Sequence, residues 1–267
     1  MQPDIPWYVT PIVLGMVVVL AFWLYRLVAR AAESADLAPQ ALSRVRRGTA
    51  LFLGGWLALA LALARSSPAV DAAGNGVVPV SFPLFAVVSL GVAIGLIALS
   101  PTWRRVVDAI PADALISVQV YRLIGGIFLV LYAIGSLPRH FALPAGWGDL
   151  VVGLLAPFVA LAVRRQLGGA RPLALGWNVF GFLDLVAAVG LGTGYLLLLL
   201  RPEAGAPPAA AAMTFFPLVL VPTFAVPLGF ILHIYSIRRT LRGEQRVTNE
   251  TRSGIATQEL RPKLNTY

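Results

Sequence analysis

The chain has 267 residues, of which 58% are hydrophobic and only 12% are charged. A soluble domain carries about 25% charged residues, so the sequence is one of spans in a bilayer and not of globular cores. It contains no cysteine, which excludes disulfides, thiolate metal sites and cysteine nucleophiles, and although its net charge of +9 is of the kind that attracts nucleic acid, that charge is distributed as membrane topology would distribute it.

Seven apolar runs have the length that a hydrocarbon core of ~30 Å requires: residues 7–29, 48–64, 82–100, 114–137, 146–163, 172–200 and 213–237. They predict an all-α membrane protein of seven transmembrane helices within residues 1–242, followed by a polar, aperiodic cytoplasmic tail at 243–267 that reads as disordered. The first run follows Asp4 without a basic start and is full length, so it reads as a span and not as a cleavable signal. The second run is short, and the sixth is long enough that it must tilt, bend or project. Between the spans, basic residues fall to alternate sides. Arg26 to Arg47, Arg104 and Arg105, Arg164 to Arg171 and the tail put seventeen of the 21 lysines and arginines on one side. Arg65, Arg139 and Arg201 lie on the other, and Arg122 lies inside a span. Cytoplasmic loops carry the excess of Lys and Arg, which places the N-terminus outside and the C-terminus inside a bacterial inner membrane. Trp7, Tyr8 and Trp147 mark outer edges, and Trp23, Tyr25, Trp103, Trp177 and Tyr235 mark inner edges, as interfacial aromatic rings do.

Arg122 lies in the fourth run, in Gln-Val-Tyr-Arg-Leu-Ile-Gly-Gly at 119–126. An arginine at such depth costs at least ~2.5–3.5 kcal/mol unless a partner or water receives it. At a rise of 1.5 Å per residue it lies ~12 Å from the inner boundary, Asp184 ~18 Å, Asn178 ~9 Å and His233 ~6 Å. By the same arithmetic Asp149 lies ~5 Å below the outer surface. Asp184 is therefore the expected partner of Arg122, with Asn178 or freed carbonyls of the seventh span completing its hydrogen bonds. Asp149 is expected to be an outer-side acidic site, solvated by the interface. Intramembrane ionisable groups face a bundle interior and mark ion or solute paths; the structural alternative is an arginine that snorkels inward beside carboxylates paired for stability. In the seventh run Pro217, Pro222 and Pro227 each remove a backbone donor. The freed carbonyls need protein or water, so a kinked or broken helix is expected there, with the prolines as hinges. The pairs Gly54-Gly55 and Gly125-Gly126 and the spacing Gly190-Leu-Gly-Thr-Gly194 permit close helix contact.

The same residues exclude several chemistries. A retinal Schiff base needs a lysine in the seventh span, and the sole lysine is Lys263. A haem held by His140 and His233 would have to join groups ~25 Å apart in depth, and two distant histidines make no zinc site. No cofactor, metal or catalytic residue is assigned. Ser236 lies near His233, but the oxyanion elements of a serine protease are not visible. From the fourth span onward, Val120-Tyr-Arg122, Gly148-Asp149, Trp177-Asn178, and Phe216-Pro217 followed by Pro222, Pro227 and His233 resemble an uncharacterised bacterial family of small seven-span membrane proteins. The resemblance implies topology and carries no activity. The function expected from the residues is transport or permeation of a small solute or ion through a polar cavity around Arg122 and Asp184. The alternatives are a ligand-sensing or accessory membrane subunit, or a quinone or redox anchor. The partners expected are the lipid bilayer and a small solute or ion, with a second copy or a partner subunit left open and nucleic acid excluded.

Overall fold

The computed structural model describes residues 5–65, 81–194, 196, 199 and 210–242. The predicted tail at 243–267 and most of the connections after the second and the sixth apolar runs lie outside the described residues. Among those described there is no strand. Helices occupy each of the seven apolar runs. They are α1 (Val9–Ser34), α2 (Pro39–Arg65), α3 (Ser81–Leu99), α4 (Pro101–Ala109), α5 (Ala112–Val118), α6 (Gly126–Ala133), α7 (Arg139–Arg164) and α8 (Ala170–Gly192), and α9 (Val221–Arg242). A 3-10 segment, Gln119–Gly125, joins α5 to α6, so that Ala112–Ala133 forms one continuous span. Among the described residues five helices are long and apolar enough to cross a membrane, and α3 with α4 is a sixth if the bent pair counts as one.

The faces of these helices explain their placement. In α1 the residues Val9, Val13, Val17, Leu20 and Leu24 are buried, a spacing of three and four that makes one helical stripe. Val18, Val19 and Phe22 on the other side are each at least 60% exposed. A large apolar surface of that kind belongs against lipid. Between α3 and α4 the chain turns by 100°. Ser100 stands before Pro101 in an extended conformation and its side chain accepts a hydrogen bond from the Trp103 N–H, the arrangement that ends one helix and caps the next. After α6, Gly135 adopts φ 79°, and the Ser136 N–H reaches back to the Leu131 carbonyl at 2.8 Å, closing the helix in the left-handed turn that glycine permits.

Two spans depart from regular α-helix, and these two meet. The 3-10 segment buries Gln119, Arg122 and Gly125, one residue in every three, which is the repeat of a 3-10 helix. Its tighter winding turns Arg122 to the inside. The segment lies against α7, where Gly153 leaves so little room that an added Cβ would stand 2.8 Å from the Leu123 nitrogen. The seventh apolar run is more irregular still. A 3-10 turn at Ala211–Thr214 leads through the cis Phe216-Pro217 bond to a π-turn at Val221–Ala225, where the Val226 N–H bonds the Val221 carbonyl. Pro227 has no N–H to offer the Thr223 carbonyl four residues back. The indole Nε1 of Trp56 on α2 supplies that bond at 2.9 Å, and the Tyr121 hydroxyl donates to the Ala225 carbonyl at 2.9 Å. Side chains from two other elements thus repair the ladder that the prolines and the π-turn open. Trp56→Phe keeps the ring and leaves the Thr223 carbonyl bare, which costs ~1–3 kcal/mol. Unfolding of the purified protein in mixed micelles should show that loss, and a neutral substitution would show that water reaches the carbonyl.

Candidate functional site

The buried polar side chains converge where the 3-10 segment, α7, α8 and α9 cross. Arg122 is 1% exposed, and every nitrogen of its guanidinium has a partner. Nε donates to Asp149 Oδ1 on α7 at 2.5 Å. Nη2 donates to Asp184 Oδ2 on α8. Nη1 donates to the Gly181 carbonyl at 3.0 Å and faces His233 Nε2 at 3.4 Å. Arginine carries no acceptor, so His233 Nε2 receives and its proton sits on Nδ1. Nδ1 in turn meets Asn178 Oδ1 at 3.0 Å, and the Asn178 amide nitrogen donates to the Ala174 carbonyl at 2.8 Å and to Ser236 Oγ at 3.0 Å. The result is one continuous chain of hydrogen bonds, from two carboxylates through a guanidinium and an imidazole to an amide and a hydroxyl. Burial makes each of these bonds costly to leave unmade.

Glycines make the convergence possible. A Cβ added at Gly148 would run into the Asp184 carboxylate, one at Gly125 into the Asp149 side chain, and one at Gly181 into the His233 ring. On α9, a Cβ at Gly229 would stand 2.6 Å from the Tyr121 hydroxyl. Asp149, Asp184, His233 and Tyr121 are thus each received by a glycine on the element they face. Trp177 packs against the imidazole, with ring centroids 5.3 Å apart, and anchors its own Nε1 on the Val152 carbonyl at 3.3 Å.

A cavity of about 90 Å³ lies beside the cluster. Its walls are Phe128 and Phe141, Leu185, Ala188 and Val189 of α8, Met213 and Thr214, and Val221, Pro222 and Val226 of α9, and Asp149 lines it as the one charged group among the described residues. The cavity therefore abuts the π-turn of α9.

The structure brings together all five polar residues that the sequence singles out, at positions partly different from those expected. Asp149 is not an outer-side group. Its helix begins at Arg139 rather than at residue 146, so it lies ten residues in, or ~15 Å along the axis, and its carboxylate bonds Arg122. His233 is not at the inner edge either, because α9 continues to Arg242 and puts it nine residues from the end, ~14 Å along the axis. The snorkelling alternative does not hold, since the guanidinium is fully enclosed. Asn178 reaches Arg122 through His233 and not directly, and the backbone carbonyl that completes the arginine is Gly181 of α8, not one from the seventh span. Of the three prolines, Pro222 opens the π-turn and lines the cavity. Trp177, expected as an interfacial anchor, is 5% exposed and belongs to the cluster. Sequence reasoning gives no site role to Ser236, Tyr121, Gly148, Gly181 or Gly229; of the receiving glycines it points only to Gly125, as a place of close helix contact. Tyr121 stands next to Arg122, but nothing in a lone Tyr-Arg pair shows that one side chain serves the charge cluster and the other a broken helix.

Among the described residues no group of three or more histidines, cysteines or carboxylates could hold a metal ion. No curated protein and no solved structure matches the chain. A family model matches residues 78–241, more than half of the chain and every residue of the cluster. On that match the chain belongs to the family described as Domain of unknown function (DUF8737).

Proposed function

We propose that this protein moves a small solute or ion across a bacterial inner membrane, through the region around Arg122, Asp149 and Asp184. The observation that supports the reading most is the meeting of a buried charge cluster with two interrupted spans and a cavity. Ionisable groups inside a bundle mark solute and ion paths, and interrupted helices line the sites of many transporters. With every guanidinium nitrogen already engaged, Arg122 acts as the counter-charge of the carboxylates and not as an anion receptor. Light scattering from proteoliposomes, challenged with ammonium chloride, alkali chlorides and small polyols, tests the proposal. Permeation of at least one of these should exceed that of protein-free vesicles and fall to their level in Asp184→Asn. Rates equal to those of bare vesicles across the whole set would overturn it.

The topology belongs to the same reading: seven spans, N-terminus outside, C-terminus cytoplasmic. Its support is the one-sided distribution of arginine. Alkaline phosphatase fused after residue 267 should be inactive in intact cells, and green fluorescent protein at the same place should fluoresce. The reverse pattern would invert the assignment.

One observation favours a second reading, that of an accessory membrane subunit. A groove of about 600 Å³ separates α2 from α3, with Leu51, Leu59, Leu84 and Val88 along it, all more than half exposed. A stoichiometric membrane protein that copurifies, and is lost when Leu59 and Val88 are changed to bulky tryptophans, would support that reading.

A further inference from the structure

We infer that the cavity beside Asp149 binds a small primary alkylammonium, a cationic head on a compact apolar body. This deepens the transport reading and rests on it for its physiological meaning, though the site stands on its own geometry. Each polar group on the cavity wall accepts hydrogen bonds. Arg122 engages Asp149 through Oδ1 alone, and Oδ2, packed beside Gly125, has no donor among the described residues. Thr193 and Thr214 also line the cavity, but their hydroxyls donate inward, to the Val189 carbonyl at 2.8 Å and the Ala211 carbonyl at 2.7 Å. With their protons so engaged, these hydroxyls can offer a ligand only lone pairs. A ligand that satisfies this wall must be a donor, and the charge beside it makes a cation the favoured one.

The rest of the wall selects among cations. Phe128 and Phe141, with ring centroids 5.5 Å apart, bound the cavity, and aromatic faces attract ammonium groups. Metal ions are poorly served, since hard cations take six or more oxygen ligands and three residues supply the side-chain oxygens here. An anion would face a carboxylate with no cation on the wall among the described residues, since the Arg122 guanidinium is enclosed behind it. A volume of about 90 Å³ is smaller than the ~150 Å³ of an engineered cavity that holds benzene, which restricts the ligand to a few heavy atoms.

Isopropylammonium chloride is the probe, with isopropanol as its neutral isostere and acetate as an anion of the same shape. Calorimetry on the full chain in detergent should show saturable binding of isopropylammonium and none of the other two. Asp149→Asn should weaken it by at least ~10-fold, equivalent to 1.4 kcal/mol. Because that variant also touches the Arg122 cluster, Ala188→Leu provides a second arm. It fills the cavity, leaves each charge in place, and should abolish binding while the melting temperature holds. Equal binding of isopropanol, binding of acetate, or binding that survives Ala188→Leu would each overturn the inference, as would no binding at all. Uptake of labelled isopropylammonium by proteoliposomes separates this from the transport reading. Binding without uptake keeps the site and removes transport. Uptake of another solute with no isopropylammonium binding keeps transport and removes the site.

Discussion

Arg122→Ala lowers the stability of the folded protein by ~3–5 kcal/mol, the cost of breaking a buried ion pair by removing one partner. The loss is greater than for any other substitution of a charged residue in the chain, because Asp149 and Asp184 share this guanidinium and both are left facing each other without a counter-charge. Asp149→Asn and Asp184→Asn are milder and similar to one another. Each leaves one ion pair intact and places an amide where an oxygen stood. The similarity is itself diagnostic, since a solvated Asp149 would tolerate substitution better than Asp184. Adding Asp149→Asn and Asp184→Asn to Arg122→Ala recovers much of the loss, because no buried charge is then alone. Unfolding in mixed micelles, followed by tryptophan fluorescence, measures all four variants. Strictly additive losses across the set would show that the three groups do not interact, as independent sites add and coupled ones do not.

Gly148→Ala is the second large effect, and it arises without any change of charge. The new methyl group would occupy the place of the Asp184 carboxylate. Either α7 and α8 separate or Asp184 swings off Arg122. Overpacking a filled interior costs ~1–3 kcal/mol, and the broken pair adds to it, so the total approaches the loss in Arg122→Ala. Gly95→Ala provides the control. That glycine is also mid-helix, in α3, but nothing lies within 4 Å of its added Cβ, and alanine there raises helix propensity by up to ~1 kcal/mol. Gly148→Ala combined with Asp184→Ala should recover part of the loss, because the shortened side chain vacates the space. The same stability readout applies, and a Gly148→Ala protein as stable as the parent would show that the helices have slack at this crossing.

Much of this arrangement can be read from sequence because the bilayer makes charge expensive. Twelve per cent charged residues in such a chain leave few intramembrane polar groups to account for, and Arg122 must find partners among them. Depth is harder to read than identity. Hydropathy ends a span where polar residues begin, yet α7 continues through Arg139 and His140 and α9 through Arg238 and Arg239, so Asp149 and His233 are assigned too near the surface. Asp108, paired with Arg238 at 3.1 Å and Arg242 at 2.7 Å, helps hold the end of α9 in helix. The change of winding at Gln119–Gly125 has no signal in hydropathy at all. It follows from how closely α7 can approach, which depends on Gly146 and Gly153 being glycine at once. The three prolines do announce an irregular seventh span, but which side chains repair it depends on tertiary contacts over more than a hundred residues, as between Trp56 and Thr223.

The hydrogen bond from Trp56 to Thr223 also bears on where this protein can be cut. The family match begins at residue 78, after α1 and α2. Those two helices are nevertheless interior parts of the bundle: Val13, Val17, Leu20 and Trp56 belong to the same buried cluster as Leu220 and Phe224, and α1 and α2 both pack on the π-turn of α9. The turn beside the cavity is thus held from outside the matched segment. Residue 78 marks where recognisable sequence similarity starts, whereas the cooperative unit that keeps α9 in its interrupted form extends back to Val9. Divergence in α1 and α2 could therefore retune the site among relatives while the charged cluster itself stays the same.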